Sequence, residues 1–307
     1  MANGRMLVDA PSFTSRPFGL WSVLGGNDRS NTGDNRWRMG VPYEVWCPTA
    51  ASTYDPCVAV SGVSGVGVVG NPPAKAATFS RLQRSATPFT IYDEIDCAPV
   101  GNWEQAKARA VDALTRSEMR QVEAAFATGL TGGQVTAYPH LAANIPLAQD
   151  GSTLQTAATT LSSTPVDVVE AFARLESALA SCYDGVGVLH LPAAVVAIAA
   201  SNFELDRRGN QLYSPGGHLI AAGAGYPGTS PAGTAPATGT VWLYATGALF
   251  GYRSDIFVHD PVAALDRSVD TVKMIAERTY LLGWDCCHFA IPVSLGGTIS
   301  GTFDSAS

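Results

Sequence analysis

The sequence predicts an α+β fold, and three observations carry that reading. Residues Asn102 to Gly129 keep helical spacing over a stretch much longer than an average helix. Val272 to Leu282 alternates with period 2, as a half-buried strand does. Elsewhere, short apolar runs with strand character are separated by segments rich in Gly, Pro, Ser and Thr. Of the 307 residues, 46% are hydrophobic and 15% are charged, against roughly 25% charged in an ordinary soluble domain. So few charges leave little purely solvated surface, which points to faces covered by other protein. The formal charge of −7 argues against a general nucleic-acid binder, which needs a basic footprint. The high hydrophobicity excludes disorder.

Taken in order, residues 1 to about 50 show no clear period. They carry Arg5, Arg16, Arg29, Arg36 and Arg38 against Asp9, Asp28 and Asp34, with Phe13, Phe18, Trp21 and Trp37 scattered among them. An aperiodic arm with apolar anchors is expected to lie across something rather than to fold alone. From Pro56 to Tyr92 there is no acidic residue, while Lys75, Arg81 and Arg84 are present. Cys57 to Val63 and Pro88 to Tyr92 read as strands, and Pro72-Pro73 marks a loop or hairpin tip between them. This cationic stretch suits an ordinary surface hairpin, or an arm docked on an acidic neighbour by charge complementarity.

Asn102 is placed to cap the long helix, with Gln105 in the capping-box position and Gly129 as the C-terminal stop. Trp103, Ala106, Ala110, Leu114, Val122 and Phe126 form its apolar stripe. A second helix is expected after Thr164, with Pro165 at its first position and Asp167 in its first turn. Its stripe is Val168, Phe172, Leu175, Leu179 and Cys182, and Asp184-Gly185 ends it. Val186 to Leu191 reads as a buried strand, and Pro192 starts a short helix over 193–201. Residues 209–239 are expected to be mostly loop. Val241 to Ala245 and Gly251 to Val258 read as strands joined by a turn.

Most chemical motifs fail on context. Gly65-x-Gly67-x-x-Gly70 and Gly223-x-Gly225-x-x-Gly228 match the dinucleotide fingerprint, but each runs on into proline rather than into a helix. Asp285-Cys286-Cys287-His288 gathers metal-ligand types, yet adjacent strand residues face opposite ways and CxxC spacing is absent. The five histidines show no HExxH pairing, and no GxSxG elbow appears. The expectation is therefore no catalytic, cofactor or metal residues, with the cysteines and histidines structural. Six cysteines are too sparse for a disulfide-built scaffold, so reduced thiols in a cytoplasmic protein are expected. The N-terminus lacks a secretory h-region, and the longest apolar stretch, Val186 to Ala200, is too short to cross a bilayer and is interrupted by His190 and Pro192. Glu277-Arg278 reads either as an exposed rung or as a charge pair answered by Glu118, Arg116 or Arg120, on a neighbouring subunit or on the long helix.

The order of these elements resembles the major capsid proteins of tailed double-stranded DNA bacteriophages, whose fold is shared with encapsulin shells. The resemblance spans about residues 56 to 297. It rests on the strand-loop-strand around Lys75, the helix ending Val122-Glu-Ala-Ala-Phe-Ala-Thr-Gly, the segment Pro165 to Tyr183 followed by Val188-Leu-His-Leu-Pro, the turn Gly225-Tyr-Pro-Gly-Thr-Ser-Pro, the strand pair Trp242 to Asp255, and the closing stretch 276–293. The resemblance implies an N-terminal arm (1–54), an extended loop (55–92), a peripheral domain with a spine helix (93–130 and 255–284) and an axial domain (131–254 and 285–307). It implies a non-enzymatic shell subunit of the virion, assembled in the host cytoplasm into pentamers and hexamers. Partners would be other copies of itself, a portal, a separate scaffolding or decoration protein, and packaged DNA touched non-specifically, with no membrane. Candidate inter-subunit contacts are Lys75, Phe79, Arg81, Arg84, Glu118, Glu277 and Arg278. The chain has only a short arm before the loop, so any scaffold is expected to be a separate protein or absent. The Lys–Asn crosslink of some relatives is not expected, because Ser268-Val-Asp-Thr-Val-Lys lacks the asparagine. Alternatives are an encapsulin-like compartment, or an enzyme using the Gly-rich segments or Cys286 and Cys287.

Overall fold

The computed structural model describes residues 13–30, 33–46, 81–97, 103–131, 134–135, 139–142, 157–182, 184–259, 265–266 and 271–296. The arm runs through three short 3-10 turns (Leu20–Val23, Gly25–Asn27 and Asn35–Met39) into β1 (Val41–Trp46). β2 (Arg81–Ala86) pairs antiparallel with β1, and β3 (Phe89–Cys97) follows. The long helix α1 is Trp103–Thr128, 26 residues or about 39 Å at 1.5 Å per residue. Its Ala, Glu, Gln, Arg and Leu content favours helix throughout. It stops at Gly129, whose φ of +75° suits the left-handed C-terminal position, and whose missing Cβ leaves room for the His140 ring.

A two-strand ladder, β4 (Leu130–Thr131) with β5 (Gln134–Val135), and the short β6 (Thr159–Thr160) precede α2 (Val168–Cys182). Here the expectation is corrected. Pro165 lies outside the helix, and Asp167 is its N-cap, with Oδ1 accepting from Glu170 N at 2.8 Å. The chain cannot turn earlier, because Val166 is bonded on both sides to the last strand: its N–H to Pro292 O and its carbonyl to Ser294 N. β7 (Val188–Pro192) and α3 (Ala193–Asn202) come next. β8 (Asp206–Arg208) follows, and the stretch read as loop holds β9 (Gln211–Tyr213) and β10 (Leu219–Gly223). The last of these is a central strand running parallel to β7. Its Leu-Ile-Ala-Ala-Gly core is short and small, so its strand character comes from partners on both edges rather than from propensity.

β11 (Thr240–Thr246) covers the first expected strand, but the strand expected over Gly251 to Val258 starts earlier as β12 (Leu249–Arg253) and breaks after Arg253. β11 and β12 lie in different sheets rather than side by side across a turn. The chain continues through β13 (Phe257–Val258), β14 (Leu265–Asp266), β15 (Thr271–Trp284) and β16 (His288–Ser294). One sheet of seven strands has the order β6-β16-β11-β7-β10-β9-β8. The other is built around the 14-residue β15, with β3 on one edge and β12, β13 and β14 along the opposite edge. β15 is a strand, as its alternation predicts, rather than the helix its propensities also allow.

α1 covers the second sheet, and its C-terminal end reaches the first, where Phe126 lies 5.5 Å from the His190 ring of β7. α2 and α3 cover the other face of the seven-stranded sheet, which explains why every residue of β7 is buried. The arm lies across its own chain: Leu20, Val23 and Leu24 are buried in the α1 core, Ala222 N donates to Phe18 O, and Arg29 N donates to Gly251 O.

Candidate functional site

Two short links carry the chain between the sheets, Gly247-Ala248 and Asp285–Cys287, and they are bonded to each other. Gly247 N donates to Cys286 O at 2.8 Å, and Asp285 N to Ala248 O at 3.0 Å. A Cβ on Gly247 would lie 2.2 Å from Cys286 O, so the approach requires glycine. Asp285–Cys287 is therefore a link between strands, with Cys287 at φ +72°, and His288 opens β16. Cys287 is bonded to Cys182 at the end of α2, and Cys286 is disulfide-bonded as well. This corrects the expectation of reduced thiols: the spacing in sequence is 105 residues, and only the fold brings the sulfurs together. No group of three metal-ligand side chains occurs among the described residues.

Beside the crossings lies a buried polar chain. His190 Nδ1 is 3.1 Å from Tyr226 OH, and its Nε2 is 3.0 Å from Thr246 Oγ1, which donates to Gly247 O. Burial, aided by the nearby His288, pushes His190 down to about 3, so it is a neutral structural imidazole. One turn of α1 away, Glu123 is 4% exposed and accepts from Leu20 N at 3.2 Å and Gly225 N at 3.0 Å. Burial raises its pKa, while the two amides and Arg16 pull the other way. A Cβ on Gly223 would meet Glu123 Oε2 at 2.0 Å, and one on Gly225 would meet the Arg120 carbonyl oxygen at 2.0 Å. The glycines of the second fingerprint thus serve a close loop-to-helix approach. The amide that a phosphate would use is already taken by an internal carboxylate. The first fingerprint lies outside the described residues.

The predicted contact residues separate into groups. Lys75 and Phe79 lie outside the described residues. Arg81 is in β2, its backbone paired with Trp46. Arg84, also in β2, donates through Nη1 to Asp285 O at 3.2 Å, which ties the ribbon to the crossing of its own chain. Glu118 and Arg278 meet each other within the chain: Arg278 Nη1 reaches Oε1 at 2.9 Å and Oε2 at 3.1 Å, and Tyr280 OH donates to Oε2 at 2.7 Å. Their side chains are 6% and 18% exposed. Burial, with the Glu118 charge second, pushes the Tyr280 phenol well above its usual range. Glu277 points to the opposite face of β15, where it lies 3.2 Å from His259. The Glu123 hub and the disulfide escaped sequence reasoning. Nothing local marked the hub, because its two amide partners lie 103 and 102 residues away in the sequence.

No protein-family model and no curated protein sequence matches the chain. Solved structures do match. A chain of Microbacterium phage Oxtober96 aligns with a TM-score of 0.51 at 13% identity, covering 94% of this chain and 95% of that one. The capsid of an empty GTA particle aligns at 0.50 with 10% identity, over 93% of this chain and all of that one (100%). The capsid of Ralstonia phage GP4 aligns at 0.48 with 8% identity, over 98% and 97%. The first two alignments establish that this chain has the fold implied by the resemblance, an α+β capsid fold, along nearly its whole length. No described helix is long and apolar enough to cross a membrane.

Proposed function

We propose that the chain is a major capsid subunit, which self-assembles into the pentamers and hexamers of an icosahedral shell around phage double-stranded DNA. The observation that carries this reading is the full-length likeness to the GTA capsid chain, which leaves no substantial part of either chain without a counterpart. The sparse charge supports it, since a subunit whose sides are covered by neighbours needs little solvated surface. Shell closure would come from many heterologous contacts repeated around five- and sixfold axes. The role is structural rather than enzymatic, and the Glu123-filled glycine loop supports that.

In this reading residues 1–54 are the arm, 55–92 the extended loop, 93–130 and 255–284 the peripheral domain, and 131–254 with 285–307 the axial domain. β12 would add one further strand to the peripheral sheet. Lys75, Phe79, Arg81 and Arg84 would meet the acidic stretch 131–204 of a neighbour, in which Asp150, Asp167, Glu170, Glu176, Asp184 and Glu204 face only Arg174. Glu277 would belong to a subunit boundary, whereas Glu118 and Arg278 would stiffen the subunit itself. Partners would include a portal, a separate scaffolding or decoration protein, and packaged DNA, with assembly in the host cytoplasm.

Negative-stain microscopy beside size exclusion tests the proposal. Closed shells or capsomer rings are expected, while a stable monomer or small oligomer at high concentration would overturn it. Protein cargo in place of DNA inside the particles would favour the encapsulin-like alternative. Changing Arg81 and Arg84 to Glu should lower particle yield and salt stability, and unchanged yield would count against the docking role.

A further inference from the structure

α1 is electrically neutral as a sequence: Lys107, Arg109, Arg116 and Arg120 balance Glu104, Asp112, Glu118 and Glu123. The fold breaks that balance. Glu118 turns inward to Arg278, and Glu123 turns inward to the Leu20 and Gly225 amides, so both carboxylates leave the surface. Four cations then face solvent against two carboxylates. Glu104 is held by Lys107 at 3.3 Å, and Asp112 by Arg116 at 2.7 Å. Arg109 and Arg120 are exposed and make no ion pair among the described residues. At 100° per residue, positions 109, 116 and 120 fall on one stripe, with Arg109 and Arg120 about 16 Å apart along the axis. The arm adds to this face: Arg116 lies over the Phe13 ring at 5.5 Å, and the exposed Arg16 is close enough to Glu123 to act on its charge.

The opposite side of the same layer differs. There the charges of β15 are matched, Lys273 with Glu94 and Glu277 with His259. Among the described residues, the helix side aligns Arg109 and Arg120 on one stripe without an ion pair, whereas on the opposite side Arg29 is stacked over the Phe250 ring, in a chain whose net charge is −7.

We propose that the exposed face of α1, centred on Arg109 and Arg120, is the surface this subunit turns towards the phosphates of duplex DNA. The inference rests on the capsid reading and adds to it the face and the residues. Two free arginines per copy make a weak, sequence-independent contact. Repetition over a shell turns that weakness into a useful property, because many shallow contacts line a wall without fixing the DNA in place.

The test uses the full chain and a fluorescent duplex of about 30 bp, with anisotropy followed as salt rises from about 50 to 200 mM. Since each phosphate contact contributes about 0.9 to the slope of log K against log salt, R109Q/R120Q should flatten it by about 1.8 and weaken low-salt binding by about tenfold. R109K/R120K should keep most of the binding, because a phosphate contact needs charge more than a planar fork. R174Q, on α2, should bind as the unaltered chain does. Absence of binding by the unaltered chain, or equal binding by R109Q/R120Q, overturns the proposal. So does equal displacement by poly-glutamate at matched charge, which would mark the face as one for an acidic protein. Microscopy of the same preparations separates the two readings. Shells whose DNA binding ignores Arg109 and Arg120 sink only this inference, whereas failure to form particles sinks the capsid reading beneath it.

Discussion

α1 and α2 each lie on a sheet, and the two contacts are held in different ways. α2 presents an uninterrupted apolar stripe (Val168, Phe172, Leu175 and Leu179), all buried against Leu189, Leu243 and Ile291 and fixed at its end by the Cys182–Cys287 bond. α1 has a comparable stripe at every fourth residue, through Ala106, Ala110, Leu114, Val122 and Phe126, but position 118 in the middle is a glutamate. On the facing strand the inward positions are Met274, Ala276, Tyr280, Leu282 and Trp284, and the one between 276 and 280 is Arg278. The two interruptions meet. An apolar stripe tolerates sliding, because one methyl contact resembles the next. A buried carboxylate tolerates none, since a shifted register would leave it without its guanidinium. The 26-residue helix thus has one defined position along its sheet, while the shorter α2 is located by a covalent bond instead.

That contrast can be broken from the α1 side first. E118A should cost about 3–5 kcal/mol in thermal or denaturant unfolding, because it leaves Arg278 buried and unpaired. The paired change E118L/R278M should recover most of the loss. If E118A proves neutral, the anchoring role is wrong. On the α2 side, reduction or C182S should cost about 2–4 kcal/mol, since the bond closes a loop of over a hundred residues in the unfolded chain. Equal melting with and without reductant would show that the apolar stripe suffices alone.

The seam between the two regions should respond to acid. His190 is held at about 3 in the fold, by burial first and by the neighbouring His288 second. A lowered folded pKa means that its stabilising contribution is complete above the unfolded value near 6.5 and is lost as pH falls towards 3. By pH 5 the loss is about 2 kcal/mol. Glu123 acts in the opposite sense: its pKa is raised in the fold, so protonating it relieves a cost. Comparing H190N with the unaltered chain isolates the histidine, and the variant should show the shallower decline between pH 6.5 and 5. The smallest effect belongs to the solvent face of β15. Because Lys273 and Glu94 are both about half exposed there, K273A should shift stability by no more than about 0.5 kcal/mol.

Much of this comparison was legible in the residues. Helical spacing located α1 to within a residue at its C-terminal end, and the alternation of 272–282 identified the central strand. Arg278 was visible as a charge on an otherwise apolar face, and Glu118 as the gap in the α1 stripe, though nothing local said that the two gaps coincide. The start of α2 was misplaced by three residues, because Val166 is held by β16, a segment more than a hundred residues away. Val241 to Ala245 and Gly251 to Val258 read as a strand pair joined by a turn, because a short link usually keeps two strands side by side. In fact Gly247, closed on Cys286, redirects the chain into the other sheet.

By itself, then, the sequence determined the elements whose information is local: the length of α1, the period of β15, the stop at Gly129 and the scarcity of charge that asks for covered faces. Periodicity and backbone preference act within one segment, so one segment suffices to read them. The tertiary structure alone decided the Cys182–Cys287 bond, the placing of Leu20 and Gly225 on Glu123, and the removal of two carboxylates that leaves the outer face of α1 cationic. Each of these depends on groups about a hundred residues or more apart, and their energies exist only once burial has stripped the water from them.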